Sequence, residues 1–125
     1  MKNIESVVLL KRKAAHEMKL CPSPFEKIKN KEKSFELRLF DKKRQKIKVG
    51  DEIIFTNAEN GEKLCVNVKK LHIFDNFKEL YKSLPLLQCG YTENDIDTAQ
   101  PSDMERFYSA EEQKTHKVVG IELSL

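Results

Sequence analysis

The sequence predicts an α+β fold, a small β-barrel with short helices at its rim. Apolar and polar residues alternate at every second position in several stretches, which is the pattern of strands with one buried face. The alternation changes phase once, at Lys69–Lys70, as it does where an extra residue bulges or bends a long strand. Stretches of helical apolar spacing, preceded by residues that can cap a helix, separate the strands. Long strands that bend at corners are what a small closed barrel requires.

The first predicted elements are a strand over His16–Leu20 and a short helix after it. In this helix, Ser23 is the expected cap, Pro24 fits the first helical position and Glu26 completes a capping box. We expect the helix to end near Asn30, because asparagine tolerates the left-handed backbone that commonly terminates a helix.

The second predicted strand, within residues 33–40, carries the most informative side chains. Successive side chains of a strand point to opposite faces, so its apolar set can enter a core while Glu36 and Arg38 share the other face. Lys33 lies at the entrance of the strand, and a rigid element therefore presents three charged side chains together. The alternative to a functional site is that these charges are merely solvated on the exposed face of a half-buried sheet. The apolar set consists of Phe35, Leu37 and Leu39.

The middle of the chain predicts two further strands and a helix. In chain order we expect a basic loop (41–48), a Val-Gly-Asp turn (49–51), a strand (51–57), a turn (58–61) and a long extended stretch (62–74). The helix that follows has Asn76 and Glu79 as cap partners, and Pro85 stops it.

The C-terminal third begins with an irregular stretch over 86–98, after which we expect two capped helices and a last strand over 117–123. The pairs Ser102–Glu105 and Ser109–Glu112 each form a predicted capping box. The helix that the first box opens is expected to carry Met104, Phe107 and Tyr108.

Size and composition predict one domain without a membrane segment. The chain has 125 residues, 39% of them apolar, and we expect residues 1–14 to be an N-terminal extension and 15–125 the single domain. The apolar run Val7–Leu10 is too short for a membrane helix or a signal peptide, so no membrane partner is expected. Three widely spaced cysteines without a C-x-x-C pair predict a reducing, cytoplasmic location.

The charge of the chain is unevenly distributed. Residues 11–48 contain 14 Lys or Arg and 5 Asp or Glu, a balance of +9, whereas residues 1–10 balance to zero and residues 49–125 to −6. A basic segment on an otherwise acidic chain indicates an anionic partner. The plain alternative is a lysine-rich surface that only keeps the protein soluble.

No motif for a metal, a cofactor or a common hydrolase occurs in the sequence. The histidines, at positions 16, 72 and 116, have no ligand spacing, and each lies in or beside a strand-like stretch. We therefore expect neither a metal nor a cofactor.

The pattern Lys33-x-x-Glu36-x-Arg38 resembles the signature of the ASCH domain, G-x-K-x-x-E-x-R, a branch of the PUA-like superfamily of small β-barrels. Lys31 replaces the glycine of the signature, so Asn30 is expected to take over the left-handed turn before the strand. The V-G-D turn, an F-x-x-L-Y helix and a V-V-G-I-x-L terminal strand extend the resemblance over about 16–123. The chain is similar in size to small bacterial and archaeal single-domain members.

The resemblance implies binding of RNA, a nucleotide or a nucleoside in a cleft beside the signature strand. Some small members are amidohydrolases that act on acetylated cytidine, and others cleave single-stranded RNA. In the amidohydrolase branch the signature lysine is the proposed nucleophile or base, which Lys33 matches. Glu36 departs from the threonine of that branch, and the downstream acid of the branch has only Asp103 and Glu105 as candidates here.

The residues suggest different chemistry for each function. For binding, Arg38 can fork onto a phosphate or a base edge, and the loop 42–48 can follow a backbone. For hydrolysis, Lys33 with Glu36 is the candidate catalytic pair, and Lys33 must then act without its proton at neutral pH. A third possibility is a protein-interaction module that uses the acidic segment 93–97. The candidate ligand-binding residues are Lys33, Glu36, Arg38, Lys42, Lys43, Arg44 and Tyr108, with Phe107 as a second aromatic that could stack on a base.

Overall fold

The protein forms one mixed, five-stranded sheet that curls into a half-barrel, and short helices pack around it. The computed structural model describes residues 14–125, and the predicted N-terminal extension lies outside the described residues apart from Ala14. The α+β fold predicted from the sequence is confirmed. The strands are β1 (Ala15–Leu20), β2 (Phe35–Leu39), β3 (Glu52–Asn57), β4 (Lys63–Phe74) and β5 (Val118–Ser124).

The strand order is β1-β3-β4-β5-β2, with β1 and β3 parallel and the other pairs antiparallel. All five predicted strands are confirmed to within a few residues. The phase change at Lys69–Lys70 is also confirmed, because the register of β4 against β5 shifts between Val68 and Lys70. The strands β1 and β2 are the two edges of the sheet, and an open seam lies between them.

Both faces of β2 are buried, which the sequence did not predict. Its apolar side chains, with Phe77 and Leu80, form a core cluster on one face of the sheet. Glu36 and Arg38 pair with Ile121 and Val119 of β5, whose side chains belong to the core of the half-barrel. The charged face of β2 is therefore directed into the half-barrel and not toward bulk solvent.

The helices are α1 (Pro22–Lys29), α2 (Lys42–Gln45), α3 (Phe77–Ser83), α4 (Ser102–Glu105) and α5 (Ala110–His116). The first of them, α1, begins two residues earlier than predicted. Cys21 is its N-cap residue, and the expected capping bond from Ser23 is absent. Pro22 already supplies the fixed φ of a first-turn residue, so Ser23 lies inside the helix.

The turn after α1 also differs from the prediction in one residue. Asn30 ends the helix with φ −86°, and Lys31 adopts the left-handed conformation with φ 65°. The lysine that replaces the signature glycine therefore takes the backbone conformation of a glycine, at an energetic cost that glycine does not have.

The predicted basic loop 41–48 contains the short helix α2, whose N-cap Asp41 accepts a hydrogen bond from the backbone N of Arg44 at 3.1 Å. The caps at Asn76 and at Ser109–Glu112 are confirmed. The capping box at Ser102 is wrong, because Pro101 already has helical φ and ψ and the cap position needs extended backbone.

Helix α4 is only four residues long, so Phe107 and Tyr108 follow it and are not part of it. Between α3 and α4, the stretch predicted to be irregular holds two short 3₁₀ turns, Leu86–Cys89 and Ile96–Thr98. Within residues 14–125, no helix is long and apolar enough to cross a bilayer.

Candidate functional site

Lys33 is buried beside the start of β2, with 7% of its surface exposed. The backbone N of Lys33 donates to the Lys27 oxygen at the end of α1, so the turn around Lys31 fixes its position. Its Nζ donates to the backbone oxygen of Cys89 at 3.0 Å and lies 3.2 Å from Oε1 of Glu36. The lysine thus joins β2 to the segment after α3.

Glu36 is the central member of a row of three charges, in which Lys33 and Glu36 are buried and Arg38 is half-buried. Its Oε1 faces Lys33, and its Oε2 accepts a hydrogen bond from Nε of Arg38 at 2.6 Å. Burial by itself raises the pKa of the Glu36 carboxyl, but the lysine and arginine charges outweigh that effect and lower the pKa below its ordinary value. The carboxylate is therefore held in its charged form between two cations.

Arg38 reaches across the open seam of the sheet. While its Nε holds Glu36, its Nη2 donates to the backbone oxygen of Lys19 in β1 at 3.0 Å. Burial lowers the pKa of Arg38, but the Glu36 carboxylate, with smaller contributions from Tyr108 and Asp41, raises it overall. Nη1 of Arg38 makes no hydrogen bond to the described residues, so this nitrogen can bind a ligand.

The segment after α3 closes the site from one side. Ser34 contacts Gln88 through a backbone bond of 2.8 Å and a side-chain bond of 3.1 Å, which holds the segment against the entrance of β2. Gly90 has φ 114°, a conformation that favours glycine, and Lys27 Nζ donates to its oxygen at 2.7 Å. Burial raises the pKa of the neighbouring Cys89 thiol to about 11, so this cysteine is not a ready nucleophile.

A cavity of ≈ 580 Å³, here named the signature cavity, lies in front of these residues. Lys33, Glu36 and Arg38 line it, together with the start of α1 and the residues around α4. Further cations and carboxylates that line it are Lys19, Lys27, Arg106, Asp95 and Asp103. The three signature residues are thus brought together at one cavity.

Two tyrosines and an aspartate form a hydrogen-bonded chain in the wall of the signature cavity. The hydroxyls of Tyr81 and Tyr91 are 2.7 Å apart, and Tyr91 donates to Oδ2 of Asp103 at 2.7 Å. Burial, with Tyr81 and Asp103 nearby, raises the pKa of Tyr91, which stays protonated as the donor. This chain fixes Asp103, whereas Glu105, the other candidate acid, does not line the cavity.

Both predicted aromatic residues line the signature cavity. Tyr108 is partly buried and stacks on Phe77 of α3, with ring centroids 5.8 Å apart. Phe107 is 63% exposed, and the guanidinium of Arg106 lies 5.2 Å from its ring centroid. An exposed aromatic ring beside a cavity is able to stack on a planar ligand.

The three predicted loop cations do not lie at the same place. Lys43 and Arg44 line a second depression of ≈ 470 Å³, here named the seam depression, which shares Lys19 and Arg38 with the signature cavity. Arg44 is 3.1 Å from Asp41, which neutralises part of its charge. Lys42 is exposed and lines neither cavity.

Comparison with known proteins identifies the family. The ASCH domain profile matches residues 18–125. The chain belongs to the ASCH domain family.

Three solved structures illustrate the similarity. Hypothetical protein PH0355 is 34% identical (TM-score 0.73) over 88% of this chain and 97% of that chain. Protein PF0455 from Pyrococcus furiosus is also 34% identical (TM-score 0.68), over 88% of this chain and 96% of that chain. The ASCH protein from Zymomonas mobilis shares the fold at 11% identity (TM-score 0.60), over 89% of this chain and 67% of that chain. No curated protein matches this chain.

Several residues of this ASCH domain cavity were not predicted from the sequence. Lys19 and Lys27 looked like ordinary surface lysines, because an alternating strand and a short helix normally expose them. Tyr91 reaches the cavity only because the segment after α3 folds back onto β2, whereas Tyr81 is presented by α3 itself. The one available signal was the glycine at position 90, which indicates a turn or a close approach. Among residues 14–125, no three His, Cys, Asp or Glu side chains are grouped as metal ligands.

Proposed function

We propose that this ASCH domain binds single-stranded RNA, or a nucleotide of it, in the signature cavity beside the K-x-x-E-x-R strand. The observation that carries the proposal is the paired row Lys33–Glu36–Arg38 along one cavity of ≈ 580 Å³. Pockets for small ligands commonly measure about 300–1,000 Å³, so the space suits a nucleotide unit. Burying three charges is costly, and a recognition role gives a reason to retain them.

Arg38 is the proposed recognition residue. Glu36 and the Lys19 oxygen orient its guanidinium, so less side-chain entropy is lost when a ligand binds. Its Nη1 then donates to a phosphate or to a base edge, and Glu36 acts as the positioning residue. The charge-assisted hydrogen bonds of an oriented guanidinium are stronger than neutral ones.

The aromatic and basic residues around the cavity have separate proposed roles. Phe107 and Tyr108 stack on a base, because every base has an aromatic face. Lys42, Lys43 and Arg44 supply an outer positive field that attracts the phosphate backbone. The distribution of charge along the chain, +9 over residues 11–48, supports an anionic ligand.

Hydrolysis at Lys33 and Glu36 is the second candidate function. The enclosure of Lys33 within a ligand-sized cavity favours it. Two contacts count against it, because Nζ of Lys33 already donates to Cys89 and pairs with Glu36. A substrate would have to displace Nζ from both contacts before this amine acted as nucleophile or base. We therefore place binding first.

The decisive experiment combines turnover and binding assays on the same protein. The purified protein is incubated with acetylated cytidine and with short single-stranded RNA, and products are quantified by chromatography. Affinity for the same RNA and for nucleotides is measured by calorimetry. We expect binding without turnover in the parent protein. Deacetylation or RNA cleavage that is lost in Lys33→Ala but kept in the distant control Lys78→Gln would establish the hydrolase instead.

A further inference from the structure

The seam depression continues the site past Arg38, and we propose that it binds the phosphate backbone of a single-stranded nucleic acid. The natural ligand is then a chain of several nucleotides and not a single nucleotide. The inference rests on the proposed function, because it extends the same site to the next part of the ligand.

The two cavities share lining residues at the open edge of the sheet. Lys19 of β1 and Arg38 of β2 line both of them, and the hydrogen bond between these residues forms the boundary. The signature cavity extends from this boundary toward α1 and α4. The seam depression extends the other way, toward α2 and the turn that joins β3 to β4. A ligand chain that passes over Arg38 therefore enters both cavities.

The two cavities differ in what they can bind. Four aromatic residues line the signature cavity, namely Tyr81, Tyr91, Phe107 and Tyr108. No aromatic residue lines the seam depression among residues 14–125, and its only apolar side chain is Met18. Bases gain affinity from stacking on aromatic rings, whereas phosphates need positive charge. The arrangement therefore places a base in the signature cavity and the backbone in the seam depression.

The charge of the seam depression supports a polyanion. Among residues 14–125, five cations line it, against the single carboxylate of Glu17, while the signature cavity has five cations against three carboxylates. Lys19 and Lys43 make no ion pair with any residue between 14 and 125. Lys63 donates to the Thr56 hydroxyl and forms no ion pair within residues 14–125. Lys43 and Lys63, contributed by different elements, are the proposed phosphate ligands.

The test is a length series of single-stranded oligoribonucleotides. Monomers, dimers, tetramers and octamers of adenylate, cytidylate and uridylate are titrated by calorimetry into three proteins. These are the parent, Lys43→Gln/Lys63→Gln, and the control Lys78→Gln/Lys114→Gln, which removes the same charge from exposed lysines that line neither cavity and lie outside the basic loop. Far-ultraviolet circular dichroism verifies that all three proteins are folded.

We expect the parent to bind the octamer at least about tenfold more tightly than the monomer, because the octamer adds two charged contacts, at Lys43 and at Lys63. Lys43→Gln/Lys63→Gln should lose that gain and keep the monomer affinity, while the control keeps both. The salt slope for the octamer should fall by about 1.4, since each single-strand phosphate contact contributes about 0.7.

The failures of the inference and of the proposed function are distinguishable. If the monomer binds and chain length adds no affinity, the seam depression is not a subsite, whereas the signature cavity remains a binding site. If both double variants lost the same amount of octamer affinity, the inference would also be overturned, because the overall charge of the protein would then account for the effect. If neither the monomer nor any oligomer binds to the folded parent, both proposals fail.

Discussion

Arg38 links the two edge strands of the sheet, because its Nη2 donates to the backbone oxygen of Lys19 at 3.0 Å. The same guanidinium holds Oε2 of Glu36 through Nε at 2.6 Å. One side chain therefore spans the seam and orients the central carboxylate of the site. The fold and the candidate site share this contact, so a single substitution affects both.

The first prediction concerns the contribution of Arg38 to stability. Arg38→Ala should lower the free energy of unfolding by about 1.5–3 kcal/mol, the value of hydrogen bonds to a charged partner. Arg38→Lys should lower the free energy of unfolding by less than Arg38→Ala does, because lysine keeps a positive charge beside Glu36. Arg106→Ala is the matched control, since Arg106 is exposed and should change stability by less than about 0.5 kcal/mol. Urea unfolding measures all three, and equal effects at the two arginines would contradict the role of the seam contact.

The second prediction concerns the dependence of stability on pH. The pKa of Glu36 is lowered in the folded protein because the charges of Lys33 and Arg38 outweigh the effect of burial. A carboxyl with a lowered folded pKa stabilises the fold above its unfolded pKa, near 4.5, and that stability is lost as pH falls through the folded pKa.

Glu36→Gln removes this titration, so it isolates the contribution of one carboxyl from those of Asp51 and Glu122, whose pKa values are also lowered by their partners. At pH 7 the variant should be less stable than the parent by about 3 kcal/mol, because two buried cations lose their carboxylate. The difference in the free energy of unfolding between the parent and Glu36→Gln should become smaller below pH 4. A constant difference between the parent and Glu36→Gln from pH 7 to pH 3 would contradict the assignment.

The third prediction concerns the left-handed backbone of Lys31. Lys31→Gly should raise the free energy of unfolding by about 0.5–1 kcal/mol, because relief of the positive φ exceeds the added entropy of the unfolded chain. Lys29→Gly, in the last turn of α1, should instead lower it by up to about 1 kcal/mol. Thermal unfolding of both variants and of the parent measures these changes in stability. A loss of stability in Lys31→Gly would show that the turn does not strain the lysine.

The fourth prediction uses the cysteines as probes of the signature cavity. Cys21 is exposed and lines the cavity, Cys65 is exposed elsewhere, and Cys89 is buried with its pKa raised to about 11. Iodoacetamide should therefore modify Cys21 and Cys65 well before Cys89. Saturating RNA should slow the modification of Cys21 and leave Cys65 unchanged, as mass spectrometry of the digested protein can measure. Equal protection of both exposed cysteines would place the RNA elsewhere or indicate a global effect.

The strands were predictable because each has a side-chain period of two. In β3, Ile53 and Phe55 are both fully buried, as their alternation predicts. The bulge in β4 was predictable for the same reason, since one extra residue reverses the phase. The caps were less predictable. Ser23 and Ser102 carry the right side chain, but a proline before each already has the backbone of a first-turn residue, so neither serine reaches the cap position.

The site was predictable only in the part that one strand carries. Lys33, Glu36 and Arg38 are neighbours in sequence, and the strand geometry brings two of them to one face. The other walls come from segments far along the chain, such as Cys89, whose oxygen lies 3.0 Å from Nζ of Lys33. No local sequence pattern indicates which loop folds back onto β2. Likewise, no local pattern indicates that Lys63 lines the seam depression.

The most direct test of nucleotide binding in the signature cavity is an NMR titration of ¹⁵N-labelled protein with a short single-stranded RNA. We expect the largest shifts at the amides of Lys33, Glu36 and Tyr108 and at the side-chain Nε of Arg38. Arg38→Lys should weaken the binding of the same RNA about tenfold, because the ammonium group of lysine lacks the planar donor geometry of the guanidinium. Undiminished affinity in Arg38→Lys, or shifts confined to residues outside the cavity, would contradict the account.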